Sequence, residues 1–236
     1  SVDYWHYKYK NQIQVQGAQA VVNAAPNGPA VIRDASGNIQ AVQVTSFNAP
    51  SGTATSGIDF AASWSFDVGD VGVTLRDNLT YLLKYDIDIG STTPGAPSVV
   101  YNGVGYRNQF VQSPGSSAAA PRWRSVAGVD LTYGKHLLST TWRYTSGVLD
   151  DQGVSLNTSG TGPVIPAAGA YAPIKAFSVF DVQYSLAFGA DDRFDLTVGM
   201  INAFDTAPGF ARSNGYLPSI ADPFGRQVYA RIGARF

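Results

Sequence analysis

Apolar and polar residues alternate with a period of two along most of this chain, the signature of strands rather than helices. Across residues 57–67, Ile58, Phe60, Ala62, Trp64 and Phe66 alternate with Asp59, Ala61, Ser63, Ser65 and Asp67. Across 71–87, Val71, Val73, Leu75, Leu79, Tyr81, Leu83, Tyr85 and Ile87 share one parity, which only Asp77 breaks; Arg76, Thr80, Lys84 and Asp86 are among the other. The same two-faced pattern sets Ala127, Val129 and Leu131 against Arg122, Arg124 and Asp130. It sets Leu138, Trp142 and Tyr144 against Arg143 and Thr145, and Phe180, Val182, Tyr184, Leu186 and Phe188 against Asp181, Gln183 and Ser185. It recurs in Phe194, Leu196, Val198 and Met200 against Asp195 and Thr197, and near the start in Trp5, Tyr7 and Tyr9 against His6, Lys8 and Lys10. The last strand carries Val228, Ala230, Ile232, Ala234 and Phe236 on one side and Tyr229, Arg231, Gly233 and Arg235 on the other. Strands are predicted near 1–10, 29–34, 38–48, 53–67, 70–87, 121–133, 136–146, 174–189, 193–204 and 225–236, about ten in all.

Alternation of this kind fits a soluble sandwich or a membrane barrel, and strand length separates the two. Trp123 and Tyr133 stand ten residues apart on one apolar face. At about 3.3 Å per residue and a tilt near 45°, they are roughly 23–25 Å apart along the normal. An outward apolar band between aromatic girdles is about 25 Å tall. The 70–87 segment also far exceeds a sandwich strand of about five or six residues. Connections alternate between short ones (residues 68–70, 134–135 and 189–192) and long ones rich in Gly, Pro, Ser and Ala (88–121, 146–173 and 205–224). Short turns on one rim and long loops on the other are the barrel arrangement, with the long loops extracellular. The fold class expected is an all-β, antiparallel transmembrane β-barrel, with residues 1–236 as one unit.

Composition supports this reading. Charged residues make up 14% of the chain, against about 25% in soluble domains, and aromatics 12%. The mean hydropathy of −0.05 is too polar for a helical membrane protein but suits a barrel, where only every second residue is apolar. No apolar run reaches the ~18 residues of a transmembrane helix. The net charge of −1 argues against a nucleic-acid partner. The absence of cysteine removes disulfides and Cys-ligated metal. Ser1 opens on strand-like sequence with no Met, basic n-region or apolar h-region, so either a signal was removed or this is a piece of something longer.

Candidate chemistry is sparse. His6 and His136 are the two histidines; strand direction places His136 at the periplasmic end, and no catalytic residue, metal site or cofactor is expected. Asp150-Asp151 and Asp191-Asp192 read as solvated turns. Arg76, Arg122, Arg124, Arg143, Arg231 and Arg235 fall on the polar parity and are expected to line the lumen. Tyr101, Tyr106, Phe110, Tyr171, Phe210 and Tyr216 lie in the long outer loops. Their rings are candidates to stack on a ligand, or else to pack loop on loop. The low charge of these loops leans toward a neutral glycan over a multiply anionic iron chelate, without choosing between them.

Several segments resemble the C-terminal half of TonB-dependent outer-membrane receptors. Asn202-Ala203-Phe204-Asp205 followed by Pro208, and Asp222-Pro223-Phe224-Gly225-Arg226 followed by the final Phe236, are similar to two family motifs. Asp3-Tyr4-Trp5, Val31-Ile32-Arg33-Asp34 with Gly37, Asn48, and Thr55-Ser56-Gly57-Ile58-Asp59 occur in the family's order upstream. The resemblance implies a plugged barrel of about 22 strands, of which this chain supplies about ten, with the plug, the TonB-box peptide and the first strands missing. It implies an outer-membrane receptor and transporter of a Gram-negative bacterium, taking up a siderophore, vitamin or oligosaccharide with TonB energy, and not an enzyme. The alternative is a passive porin-type or structural barrel. The implied partners are outer-membrane lipid, the barrel-assembly machinery, a small-molecule ligand (iron chelate, vitamin or glycan), and the TonB complex only through the missing plug. The inward arginines are then expected to meet the plug or one another, and Tyr229, Ile232 and Phe236 to form the assembly signal.

Overall fold

Eight strands lie side by side in one antiparallel sheet, and the turns between them follow from the short connections. The computed structural model describes residues 1–15, 18, 21–22, 25–49, 52–88, 100–108, 119–151, 172–211 and 215–235. Its strands are β1 (Val2–Tyr9), β2 (Gln12–Val15), β3 (Val31–Arg33), β4 (Ile39–Val42), β5 (Ser46–Ala49), β6 (Thr53–Val68), β7 (Val71–Asp88), β8 (Val100–Asn102) and β9 (Trp123–Tyr133). There follow β10 (His136–Thr145), β11 (Val148–Asp150), β12 (Ala172–Ile174), β13 (Phe177–Phe188), β14 (Phe194–Ile201), β15 (Phe210–Ala211), β16 (Gly215–Tyr216) and β17 (Gln227–Ala234). The main sheet runs β1-β6-β7-β9-β10-β13-β14-β17, with β8 appended to β7; among the described residues it does not close, and β1 and β17 are its edges. Gly69 and Gly134 take φ of 60° and 54°, which two-residue hairpins between right-twisted strands favour.

The two segments predicted as strands at 29–34 and 38–48 do not join this sheet. They fall into β3–β4 and β2–β5, which pair inside the β1–β6 connection, so that three hairpins are nested. Strands of three and four residues are too short to span a membrane, which needs about nine to eleven. The tip is closed by Asp34, whose Oδ1 accepts from the backbone N–H of Ser36 and of Asn38, each at 2.9 Å.

Register carries the two faces across the whole sheet. One row of partners reads Trp64, Leu75, Val129, Thr140, Val182, Met200 and Val228; the next apolar row reads Phe66, Val73, Leu131, Leu138, Tyr184, Val198 and Ala230. Between them runs Ser65, Thr74, Asp130, Ser139, Gln183, Gly199 and Tyr229. Asp77 does stand in the apolar face, between Ala62 and Ala127, where the Ser125 hydroxyl donates to it at 2.9 Å.

Two parity expectations are corrected. In β7 the register shifts: Gly57 faces Leu82 but Ser56 faces Lys84, leaving Leu83 as a bulge. An extra residue reverses the alternation beyond it. Tyr85 and Ile87 therefore turn to the inner face, opposite Thr55 and Thr53, and Lys84 and Asp86 turn outward. In β1 it is Val2 and Tyr4 that share a side with Phe60 and Ile58, so Trp5, Tyr7 and Tyr9 face inward and His6 and Lys8 outward.

The buried core lies where the outer end of the sheet meets the loops. Val148, Ile174, Phe177, Val179, Ala211, Leu217, Ile220 and Ala221 form one buried cluster. They come from β11, β12, the outer end of β13, and the connection between β14 and β17. The loops thus fold into a layer at the outer end of the inner wall.

Candidate functional site in the inner wall and outer loops

The polar face is held by side chains that cross from strand to strand. Arg76 pairs with Asp130, which also accepts from the Ser139 hydroxyl. Arg143 grips Asp181 with both Nε (2.7 Å) and Nη2 (3.0 Å), a bidentate geometry that fixes both partners. The same Asp181 accepts the backbone N–H of Asn202 at 2.9 Å. Asn202 in turn clasps Thr206 through both of its amide atoms, at 2.8 and 2.9 Å. Asp205 accepts the Arg226 N–H at 2.8 Å. The two motif segments at 202–206 and 222–226 are therefore one latch joining β10, β13, β14 and β17, which gives their residue types a physical reason.

Two inner-face glycines allow a neighbour to cross them. A Cβ at Gly57 would overlap the Trp5 indole, and one at Gly199 would meet the Tyr229 ring. Tyr229 reaches over Gly199 to donate its hydroxyl to Gln183 Oε1 at 2.9 Å. Packing an aromatic ring over a cross-strand glycine covers backbone that would otherwise be bare.

At the outer end of the wall, Trp5, Thr80, Leu82, Tyr85, Pro121 and Arg124 line a cavity of about 350 Å³. The bulge makes it, since Tyr85 reaches this face only through the register shift. Arg124 Nη2 donates to the Ser219 carbonyl at 2.9 Å, tying the wall to the loop layer. The neighbouring loop is polar within. Arg107 pairs with Asp150 at 3.1 Å, and Tyr101 donates to Asn108 at 3.2 Å. Burial, then the Asp151 and Tyr85 charges, push the Tyr101 hydroxyl far above its ordinary 10.0.

The remaining candidates fall in varied places. Arg231 stands opposite Thr197 on the inner face, and Arg231 and Arg235 are both exposed. Arg122 departs from the expected lumen position: its guanidinium sits 5.7 Å from the centre of the Tyr81 ring, which packs at 4.3 Å on Trp123 in the outward face. Of the two readings given for the loop rings, Tyr101 takes loop packing, being 1% exposed. Tyr106 is half-buried and bridges to Leu149. Phe210 and Tyr216 are exposed and meet edge to face at 5.9 Å. Phe110, Tyr171 and Phe236 lie outside the described residues. Ile232 faces outward and is 70% exposed. His136 Nδ1 lies 2.6 Å from the Tyr184 hydroxyl at the short-turn end. Among the described residues no group of three His, Cys, Asp or Glu is placed to hold a metal ion. Sequence reasoning missed the bulge, and it missed Trp5 as an inner residue, for which Gly57 in the facing strand was the available signal.

An apolar outer face, an ion-paired inner face and a folded loop layer at one rim define part of the wall of an outer-membrane β-barrel. Residues 1–203 match the family described as TonB dependent receptor-like, beta-barrel, and the chain belongs to that family. Its members are receptors and transporters of the Gram-negative outer membrane, not enzymes. Similar solved structures include the ferric enterobactin receptor PfeA of Pseudomonas aeruginosa, at 15% identity and a TM-score of 0.56, over 100% of this chain and 28% of that one. The siderophore receptor PirA of Acinetobacter baumannii gives 16% and 0.52, over 100% and 29%. The outer membrane transporter YddB of Escherichia coli gives 12% and 0.55, over 100% and 30%. The chain thus spans under a third of these proteins' length, and at such identities the likeness concerns the fold. No curated protein sequence matches.

Proposed function

We propose that residues 1–236 act as one barrel segment of a receptor for TonB-energised uptake of a siderophore, vitamin or oligosaccharide. The observation that carries this is the outer loop layer, packed on its own core and tied to the inner wall through Arg124 and Ser219. Such a rim can hold a ligand over the lumen. The exposed pair Phe210 and Tyr216, and the half-buried Tyr106, offer rings to it. Arg76, Arg124 and Arg143 are held in the wall by their partners, while Arg231 and Arg235 are open to meet a plug. In this reading the TonB complex acts on the plug, the barrel-assembly machinery reads Tyr229, Ile232 and Phe236, and lipid covers the apolar face. A passive pore finds less support, because the loop layer stands over the inner wall.

The test is uptake by cells carrying the full-length receptor, with and without a working TonB complex. Loss of uptake without TonB is expected; undiminished uptake would point to a passive pore. Deleting Phe236 is expected to impair membrane insertion, and a deletion variant with the normal heat-modifiable gel shift would remove it from the assembly signal.

A further inference from the structure

We infer that the turn from Asn202 to Asp205 is a register pin. It sets where β17 pairs along β14, and so which groups of that strand reach the lumen, and at what height. The need arises from the connection. Two-residue turns such as 69–70 and 134–135 fix the register of their hairpins by their own geometry. The β14–β17 connection runs from 202 to 226, too long for its own shape to dictate register. Among the described residues β17 pairs with β14 alone. The outward face does not choose either. Leu196, Val198 and Met200 stand opposite Ile232, Ala230 and Val228, and a slip of two residues would still set apolar against apolar in a uniform solvent.

The turn supplies the missing reference. Asn202 and Asp205 hold left-handed φ of 51° and 56°, strain that persists only where the surroundings impose it. Asn202 is buried, and its N–H donates to Asp181 of β13 at 2.9 Å. The Ala203 N–H donates to the Phe180 carbonyl at 2.7 Å. The Asp205 carboxylate is thereby positioned from β13, and its Oδ1 accepts the Arg226 N–H at 2.8 Å, one residue before β17. The approach to β17 offers a single donor that fits. Pro223 has no N–H, and the Phe224 N–H is taken by Asp222 Oδ1 at 2.9 Å. A Cβ at Gly225 would stand 2.6 Å from Asp205 Oδ1. A slip of two residues in one direction puts Gln227 where Gly225 lies, and in the other puts Pro223 there; either brings a Cβ into the carboxylate. The native register alone sets a glycine at that point with a usable N–H next to it. A two-residue slip would displace β17 by about 7 Å and carry Tyr229 off Gly199 and Gln183. This role is separate from any recognition of the last strand during insertion, and it does not depend on which ligand is carried.

The test uses the full-length receptor, free of other cysteines, with Val198→Cys combined with Ala230→Cys, Val228→Cys or Ile232→Cys. A disulfide joins Cα atoms less than about 7 Å apart, so it forms between directly opposed residues and not between diagonal ones at about 7–8 Å. Mass spectrometry of unreduced digests counts each bridge in receptor recovered from the outer membrane, and heat-modifiability confirms folding. With Asp205 in place, the 198–230 bridge is expected alone. Asp205→Ala is expected to raise a bridge to 228 or 232 roughly tenfold, the factor that a lost hydrogen bond to a charged acceptor is worth. Gly225→Ala pushes on the carboxylate from the other side and is expected to do the same; it carries the reading if Asp205→Ala does not insert. Asp205→Asn keeps an acceptor oxygen and is expected to restore native pairing. A turn that merely supports the fold would lower the unfolding temperature and leave the 198–230 bridge alone in both alanine variants. That result, or shifted bridges as frequent in Asp205→Asn as in Asp205→Ala, would overturn the inference.

Discussion

The spanning sheet and the outer loop layer solve burial in opposite ways. In the sheet, rows such as Trp64 to Val228 are left open, with Trp64 65% and Val228 75% exposed. Lipid supplies the medium those side chains need. In the loop layer, Val148, Ile174, Leu217 and Ile220 are buried against one another and against Phe177 and Val179 at the outer end of β13, as in a soluble protein. The sheet therefore takes its order from backbone pairing and cross-strand polar contacts, whereas the loop layer takes its order from a core. Mutations should sort accordingly.

The strongest test of that contrast is Leu217→Ala, in the loop half of the cluster. Removing a buried Leu costs about 2–5 kcal/mol. Here the loss is expected to appear as faster hydrogen exchange in residues 148–150 and 215–221, with the heat-modifiable gel shift intact. If the shift is lost instead, the loop core is part of the barrel's own stability and the contrast fails. Gly199→Val tests the other side. Its added methyl groups would force the Tyr229 ring off Gly199. Overpacking of this sort costs about 1–3 kcal/mol, and its expected signature is a lower unfolding temperature of the barrel with loop exchange unchanged. Spin labels at Val129 and Leu131, in the outward rows, sharpen the facing itself. Both should broaden with oxygen rather than with a water-soluble relaxation agent, and water accessibility at both would reverse the faces.

The sheet was legible because its constraint is periodic. Trp123 and Tyr133 bound β9 as their spacing requires, and residues 71–81 kept one parity. Reading failed where a local event broke the period. One unpaired residue, Leu83, reversed Tyr85 and Ile87, and no composition signal marks a bulge. It failed again in β1, where Trp5, Tyr7 and Tyr9 are apolar yet inward, because an aromatic face suits a glycine-backed lumen wall as well as lipid. The candidate site was less visible still. The loop rings could be read either as ligand contacts or as loop packing, and only the folded loop, where Tyr101 is buried and donates to Asn108, separates the two for that residue. Register puts Arg76, Arg124, Arg143 and Arg231 on one side of the sheet, whereas Arg122 precedes β9 and Arg235 follows β17, so alternation fixes neither.

The smallest expected effect separates the nested hairpins from both regions. Asp34 closes the β3–β4 turn, and its carboxyl is held below its ordinary 3.8 by the Asn38 N–H first, then the Asn38 side chain, with smaller help from Ser36 and Gly37. A carboxyl depressed in the folded state adds order that is fully present above the unfolded value and is lost as pH falls through the lowered one. Acidification from pH 5 is therefore expected to leave the turn unchanged until below about 3.8 and then to loosen it. The Ser36 and Asn38 amide resonances should report this by NMR, and Asp34→Asn should abolish the pH step. Because β3 and β4 pair only with each other, the loosening should stop at the hairpin. A matching step in the amides of β6 or β7 would show that the nested extension is mechanically joined to the wall, and the molecule would then have to be divided differently.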